Sequence, residues 1–238
     1  LLEYFIDFCS ILNVKDIVIA SDDLNIAIEE YFNDGSQWSV NINYSFIKEN
    51  DNLKTILNKN TNFCNNQDLF IISGYQFLYY NQNKKDYSFF EEKNDSIINQ
   101  GKNGFIAIIK NKDINDPKKN IKETELIDIK TYPMQTISDY YNLNISILNN
   151  NASDFSLPGY NNEKKVYIGQ NVEIPPSTTF QKPVMIGNNV RFDQNCSIGE
   201  NAIIGNTIII DKGTQISNSI IYDHTYVGTD LEISNKIV

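Results

Sequence analysis

The chain has 238 residues, of which 41% are apolar and 21% charged; this excludes a disordered or low-complexity chain and leaves room for one large domain or two modest ones. Its net charge is −10, Arg191 is the only arginine, and basic runs are no longer than Lys84-Lys85, Lys118-Lys119 and Lys164-Lys165, which excludes a nucleic-acid binder that relies on clustered cations. There is no apolar stretch of about 18 residues to span a membrane and no signal-peptide n-region, and three scattered cysteines (Cys9, Cys64, Cys196) fit neither a disulfide framework nor a zinc site, so a reducing, cytoplasmic setting is expected.

Leu2, Phe5, Ile6, Cys9 and Leu12 recur at helical spacing. Asp16–Ala20 is a short apolar run and reads as a buried parallel strand. Ser21 can cap the helix that follows, with Asp22 and Asp23 in its first turn and Asn33-Asp34-Gly35 as its stop. Val40, Ile42, Tyr44 and Phe46 alternate as in a strand. Residues 51–59 read as helix, and Asp68–Ser73 as another buried strand ending at Gly74. Strands at Gly104–Lys110 and Glu125–Lys130 and a helix from about Gln135 to Leu148 follow, the helix carrying Ile137, Tyr140, Tyr141, Ile145 and Leu148 on one face. This alternation predicts an α/β sheet with helices on its faces over residues 1–150, and a polar linker over 151–164 that contains Leu157-Pro158-Gly159.

Residues 165–238 behave differently. From Ile168 every sixth residue is large and apolar: Ile174, Phe180, Ile186, Phe192, Ile198, Ile204, Ile210, Ile216, Tyr222. The position two earlier repeats as well, through Val166, Val172, Thr178, Val184, Val190, Cys196, Ala202, Ile208, Thr214 and Ile220. The residue after the large one is usually Gly, Asp, Ser or Pro. Neither a helix nor an ordinary sheet has period six. A chain wound around a triangular prism does, with one side per hexad, the large residue inward and turn-forming residues at the corners. Three hexads close one coil, and coils stack as parallel strands about 4.8 Å apart. Past Tyr222 the register slips by one, to Val227 and Ile233, which predicts a bulge or a tightened corner. The pattern resembles the hexapeptide-repeat left-handed β-helix. Many such proteins are acyltransferases with a histidine base; the single histidine, His224, lies in the slipped hexads, so acyl transfer is the weakest enzymatic reading and a corner histidine the favoured one.

The combination of an α/β domain with hexapeptide repeats resembles the sugar-1-phosphate nucleotidyltransferases. Tyr31-Phe32-Asn33-Asp34-Gly35-Ser36 followed by Val40-Asn41-Ile42-Asn43-Tyr44 looks like that family's helix–turn–strand stretch. Leu1-Leu2-Glu3-Tyr4 looks like the segment after its Lys-Pro, residues 126–147 like its D-[IV]-G-T segment and following helix, and Ile220–Val238 like the closing hexads of exopolysaccharide-cluster members. The resemblance implies a Rossmann-like nucleotidyltransferase sheet, nucleoside triphosphate and sugar 1-phosphate as substrates, and Mg²⁺ for activity. The family's glycine-rich phosphate loop would fall upstream of Leu1. One of its two magnesium carboxylates falls at Gly74-Tyr75, where a neutral phenol stands; the other matches Asp128, with Lys130 in place of the family's glycine. The family's Leu-Gly-Thr-Ala-Gly turn matches Leu53-Lys54-Thr55-Ile56-Leu57, with Lys54 and Leu57 in place of its glycines.

Leu53, Thr55, Gly74 and Tyr75 are therefore the candidate substrate contacts and Asp128 the candidate metal ligand. Two functional readings stay open. One is an active nucleotidyltransferase that works by positioning and Mg²⁺; the other is a non-catalytic scaffold or regulatory relative in polysaccharide assembly, which Lys54, Leu57 and Tyr75 favour. A homo-oligomer through the repeat domain is expected, because the open end of a strand stack is normally capped or paired.

Overall fold

The computed structural model describes residues 1–22, 26–81, 94–125, 129–149, 161–163 and 165–238. They form a mixed α/β structure with several parallel sheets, in two compact units, Leu1–Gln135 and Thr136–Val238. No helix among them is long and apolar enough to cross a membrane.

The first unit opens with helix α1 (Leu2–Ile11), strand β1 (Asp16–Ser21), helix α2 (Ile26–Phe32) and strand β2 (Asn41–Phe46). β1 and β2 pair in parallel from Asp16↔Asn41 to Ser21↔Phe46, so the expected βαβ crossover is present. Residues 23–25, which include Asp23 of the predicted first turn of α2, lie outside the described residues. Next come α3 (Leu53–Lys59), α4 (Thr61–Cys64), β3 (Leu69–Gly74), β4 (Gln76–Tyr79), β5 (Ser96–Gln100), β6 (Gly104–Ile109), α5 (Pro117–Asn120), β7 (Ile121–Glu123) and β8 (Lys130–Pro133).

β3 does not extend the β1–β2 sheet. It pairs antiparallel with β6 in a sheet of order β3-β6-β5-β7, while β4 and β8 form a separate antiparallel pair. The strands of the first unit thus fall into three separate sheets rather than the one α/β sheet expected over residues 1–150. A tight turn at Gly101–Gly104, closed by Gly101 N donating to Gly104 O at 2.8 Å, makes β5 and β6 a hairpin, and β3 takes β6's other edge.

Period-two alternation divides β6 between two cores. Ile106 and Ile108 pack with Phe8, Leu78, Tyr80, Ile97 and Ile129 on one face, and Ala107 and Ile109 with Leu57, Cys64 and Leu69 on the other. α1 serves two surfaces: Ile6 packs with Phe32, Val40 and Ile42, and Phe8 with the β6 face. Its buried set is therefore wider than a single stripe and includes Phe8.

The second unit begins with α6 (Ile137–Asn149). Thr136 Oγ1 accepts from Asp139 N at 3.0 Å and Asp139 Oδ2 accepts from Thr136 N at 2.9 Å, a reciprocal cap that fixes the helix start. α6 belongs to the same unit as the repeats rather than to the sheet domain expected to end at 150. Leu143 and Leu148 are its buried residues, whereas Ile137, expected on the buried face, is exposed. Most of the predicted linker lies outside the described residues.

The repeats form three parallel sheets that the chain visits in rotation. β10 (Val166–Ile168), β12 (Val184–Ile186), β15 (Ala202–Ile204) and β18 (Ser219–Ile221) make the first; β13 (Arg191–Phe192), β16 (Ile209–Ile210) and β19 (Tyr226–Val227) the second; β11 (Thr179–Phe180), β14 (Ser197–Ile198), β17 (Gln215–Ser217) and β20 (Glu232–Ser234) the third. Partners lie 18 residues apart, as in Val184↔Ala202, Arg191↔Ile209 and Ser197↔Gln215. Ile186, Phe192, Ile198, Ile204, Ile210 and Ile216 fill the interior together with Val184, Val190, Cys196 and Ile208. Strand β9 (Asn161–Glu163) pairs antiparallel with β10 and covers the open edge at the start of the stack.

Three details depart from the sequence reading. The register slip comes one hexad earlier than expected: Ala202 pairs with Ser219 and Ile204 with Ile221, 17 residues apart, because the corner after Ile216 is one residue shorter. Ile221 therefore points inward and is fully buried, and Tyr222 points outward, 47% exposed. Second, Ile174 is 37% exposed, since it lies in the first coil, where stacking has only begun. Third, the left-handed corner residues are mostly asparagines. They form columns Asn171–Asn189–Thr207–His224, Asn195–Gly213–Asp230 and Asn201–Asn218–Asn235, all with φ between 44° and 71°. A glycine after a large residue serves close stacking instead: a Cβ on Gly187 would lie 2.5 Å from the Gly205 carbonyl oxygen.

Candidate functional site

The two ends of the β3-β6-β5-β7 sheet differ chemically. At the end where β6 finishes, Ser96 Oγ donates to Asp113 Oδ2 at 2.6 Å and accepts from Lys110 N at 2.9 Å, and Asn120 Nδ2 donates to Asp113 Oδ1 at 2.7 Å. These hydrogen bonds hold the buried Asp113 carboxyl below the usual carboxylate range. Asp68 accepts from Asn111 N at 2.9 Å and pairs with Lys110 Nζ at 3.0 Å. Desolvation opposes ionisation there, but the bonds from Asn111 and Lys110 outweigh it and its pKa is lowered. Asp113 and Asp68 are both occupied by fold-internal partners and act as a structural lock.

The opposite end is built from glycines, with the exposed Lys102 in the turn between Gly101 and Gly104. Gly74 has φ 90°, and a Cβ there would fall on the Asn103 carbonyl oxygen; a Cβ on Gly104 would fall on the Ser73 carbonyl oxygen. Only two glycines allow this approach of backbone to backbone. Gln76, nearly fully buried, fixes the corner by donating from Nε2 to Ser73 O at 2.8 Å and Phe105 O at 3.2 Å. Gly101 lies beside the Gln76 Oε1 and Thr131 Oγ1 oxygens. Tyr75 projects from this corner, 65% exposed, and its carbonyl accepts from Met134 N at 2.9 Å. The exposed groups at the corner are the Tyr75 phenol and the Lys102 ammonium, which can stack on and hydrogen-bond a polar ligand.

Gly74 and Tyr75 therefore stand together at this corner. Leu53 and Thr55 belong to α3. Leu53 packs against the Leu57, Leu69 and Ile109 core, and Thr55 gives its N and Oγ1 to Asn52 Oδ1, at 3.0 and 3.3 Å, in the helix cap. Among the described residues no hydrogen bond joins Leu53 or Thr55 to Gly74 or Tyr75. Asp128 lies outside the described residues. Sequence reading missed Gln76, Gly101, Gly104 and Thr131; the Gly-x-x-Gly spacing of 101 and 104 was the available signal.

The donor set at the corner does not suit Mg²⁺, which is held by carboxylates and phosphate oxygens. No group of three or more His, Cys, Asp or Glu side chains converges among the described residues.

The family-like stretch at 31–44 has a structural role in the fold. Asp34 Oδ1 accepts from Ser36 N at 3.0 Å and starts a short 3₁₀ turn at Ser36–Trp38; this hydrogen bond lowers the Asp34 pKa. Tyr44 OH donates to Asn33 O at 2.7 Å, tying β2 to the end of α2. Trp38 stacks against Phe32 and Tyr31, with ring centroids 5.0 and 5.9 Å apart. In the second unit His224 is an exposed corner residue with φ 62°, its N–H donating to Asn206 O at 2.9 Å. The three cysteines are free and buried, and burial pushes the Cys9 thiol up to about 12.

No family model matches the chain, and no curated protein matches it.

Proposed function

We propose that the chain is a sugar-1-phosphate nucleotidyltransferase-like protein of nucleotide-sugar or exopolysaccharide biosynthesis that binds a nucleotide or sugar phosphate without transferring it. It serves as a cytoplasmic scaffold or regulatory subunit, homo-oligomeric through its repeats, with the coil wound as the left-handed β-helix of hexapeptide proteins. The observation that carries this reading is the corner at Gly74–Gln76, where Tyr75 is exposed and Lys102 lies in the turn that packs on Gly74. The exposed Tyr75 and Lys102 can stack on and hydrogen-bond a phosphosugar, and the described side chains around them lack the carboxylates that magnesium-dependent transfer needs. The βαβ crossover carrying the Tyr31–Ser36 turn and the 18-residue coil support the family likeness.

The test uses the full chain. Nucleoside triphosphates, sugar 1-phosphates and nucleotide-sugars are titrated by calorimetry, and each triphosphate–sugar phosphate pair is incubated with Mg²⁺ and followed for pyrophosphate release. The expected result is saturable binding of at least one ligand class, weakened about tenfold or more by Tyr75→Ala, with no pyrophosphate released. Pyrophosphate release that an Asp128→Asn variant abolishes establishes the enzyme instead. Absence of all binding removes the reading altogether.

A further inference from the structure

The three outer faces of the coil are not alike. On the second sheet the outward residues are Arg191, Ile209 and Tyr226, and all are exposed. On the third they are Thr179, Ser197, Gln215 and Glu232, polar and mostly exposed. On the first they are Tyr167, Met185, Ile203 and Ile220, all bulky and largely apolar. None of these four is exposed, and Ile220, although it points away from the interior, is only 3% accessible.

α6 is tied to the residues that flank this first face. Tyr141 OH donates to Asn218 O at 2.7 Å. Asn149 Nδ2 donates to Asn201 Oδ1, and Asn201 Nδ2 to Asn218 Oδ1, both at 2.9 Å. The Tyr140 ring lies 6.0 Å from that of Tyr222. Both Asn218 and Tyr222 owe their positions to the shortened corner. Had the 18-residue spacing continued, Tyr222 would point inward and no ring would face Tyr140.

We propose that α6 is a strap that covers the coil's one apolar outer face and withholds it from self-association. The omitted residue after Ile216 provides the strap's anchor, the carbonyl of Asn218 and the outward ring of Tyr222. With the strap seated, coil-to-coil assembly is left to the other two faces. With the strap displaced, the Tyr167–Met185–Ile203–Ile220 ladder is a flat, self-complementary apolar surface that pairs with a second copy.

The test is sedimentation velocity of the full-length protein from 1 to 100 μM, a concentration range chosen on the order of typical transient dimer affinities. Leu143→Asp, which puts a charge on the buried side of α6, is expected to raise self-association above the wild-type level. Adding Ile203→Lys to that variant is expected to return it to the wild-type level. Tyr141→Phe, which removes only the bond to Asn218, is expected to raise self-association about two- to tenfold and decides the matter should Leu143→Asp fail to fold. Unchanged association in Tyr141→Phe, or association in Leu143→Asp that Ile203→Lys does not reverse, overturns the proposal.

Discussion

Replacing Ile221 and Tyr222 separately by alanine distinguishes the structure from the uninterrupted hexad pattern. The pattern alone puts Tyr222 inside and Ile221 outside; the 17-residue pairing of Ile204 with Ile221 reverses them. Ile221 is 0% exposed and belongs to the interior cluster with Ile186, Ile204 and Ile210. Truncating a buried isoleucine loses its transfer free energy and leaves a cavity, about 2–5 kcal/mol together. Tyr222 is half exposed and its recorded ring contact is Tyr140, 6.0 Å away at 32°. Losing that contact costs about 0.5–1.5 kcal/mol. Urea unfolding followed by far-ultraviolet circular dichroism should therefore give a midpoint that falls strongly for Ile221→Ala and slightly for Tyr222→Ala, at unchanged slope. A larger loss for Tyr222→Ala would refute the early slip and restore the 18-residue spacing.

Other outcomes follow from single contacts. Gly187→Ala should destabilise the coil by about 1–3 kcal/mol, because its Cβ meets the Gly205 carbonyl in the next coil, whereas Asn189→Gly at the neighbouring left-handed corner should be nearly neutral by thermal melting. Thr178 Oγ1 is buried with no hydrogen-bond partner among the described residues, so Thr178→Val should stabilise by about 1 kcal/mol; a loss of stability would show that the hydroxyl is satisfied. Asp113 and Asp68 have folded-state pKa values below their unfolded ones. Their contribution is complete above the unfolded value near pH 4 and is lost as pH falls through the folded value. Unfolding free energy should be flat between about pH 5 and 7 and drop below about pH 4, with a shallower acid limb in Asp113→Asn.

The hexads were legible because inward columns such as Phe180–Ile198–Ile216 repeat large apolar residues at one spacing, and burial alone enforces it. The slip was misplaced because Ile221 and Tyr222 are both apolar, and only the corner length shows which one turns in. The corner asparagines stand in the same hexads as Gly and Asp residues that carry an equal turn signal, so the sequence pattern alone does not single them out. In the first unit, Asp16–Ser21 and Asn41–Phe46 were readable as one crossover. β4 and β5 were not, because Gln76 and Ser96 are polar residues at buried positions and interrupt the apolar pattern. The antiparallel placement of β3 depends on the Gly101–Gly104 turn, a feature of four residues that periodicity does not register. At the candidate site, Gly74 and Tyr75 were found from the strand end, but the partners that shape their corner come from β4, β8 and the β5–β6 turn, far away in sequence.

Both the strap and the proposed role depend on the stacking of coils, and a cysteine pair reports on it directly. Gln215 and Glu232 are outward neighbours on adjacent rungs, at a Cα spacing of about 4.8 Å, within the about 4.4–6.8 Å that a disulfide spans. The native cysteines are buried and compete little. Mild oxidation of the folded Gln215→Cys, Glu232→Cys variant should close an intramolecular disulfide within the monomer, and Gln215→Cys, Ile233→Cys, one residue further along and pointing inward, should stay reduced. Bonding of the second pair, or of neither, would contradict the coil described here.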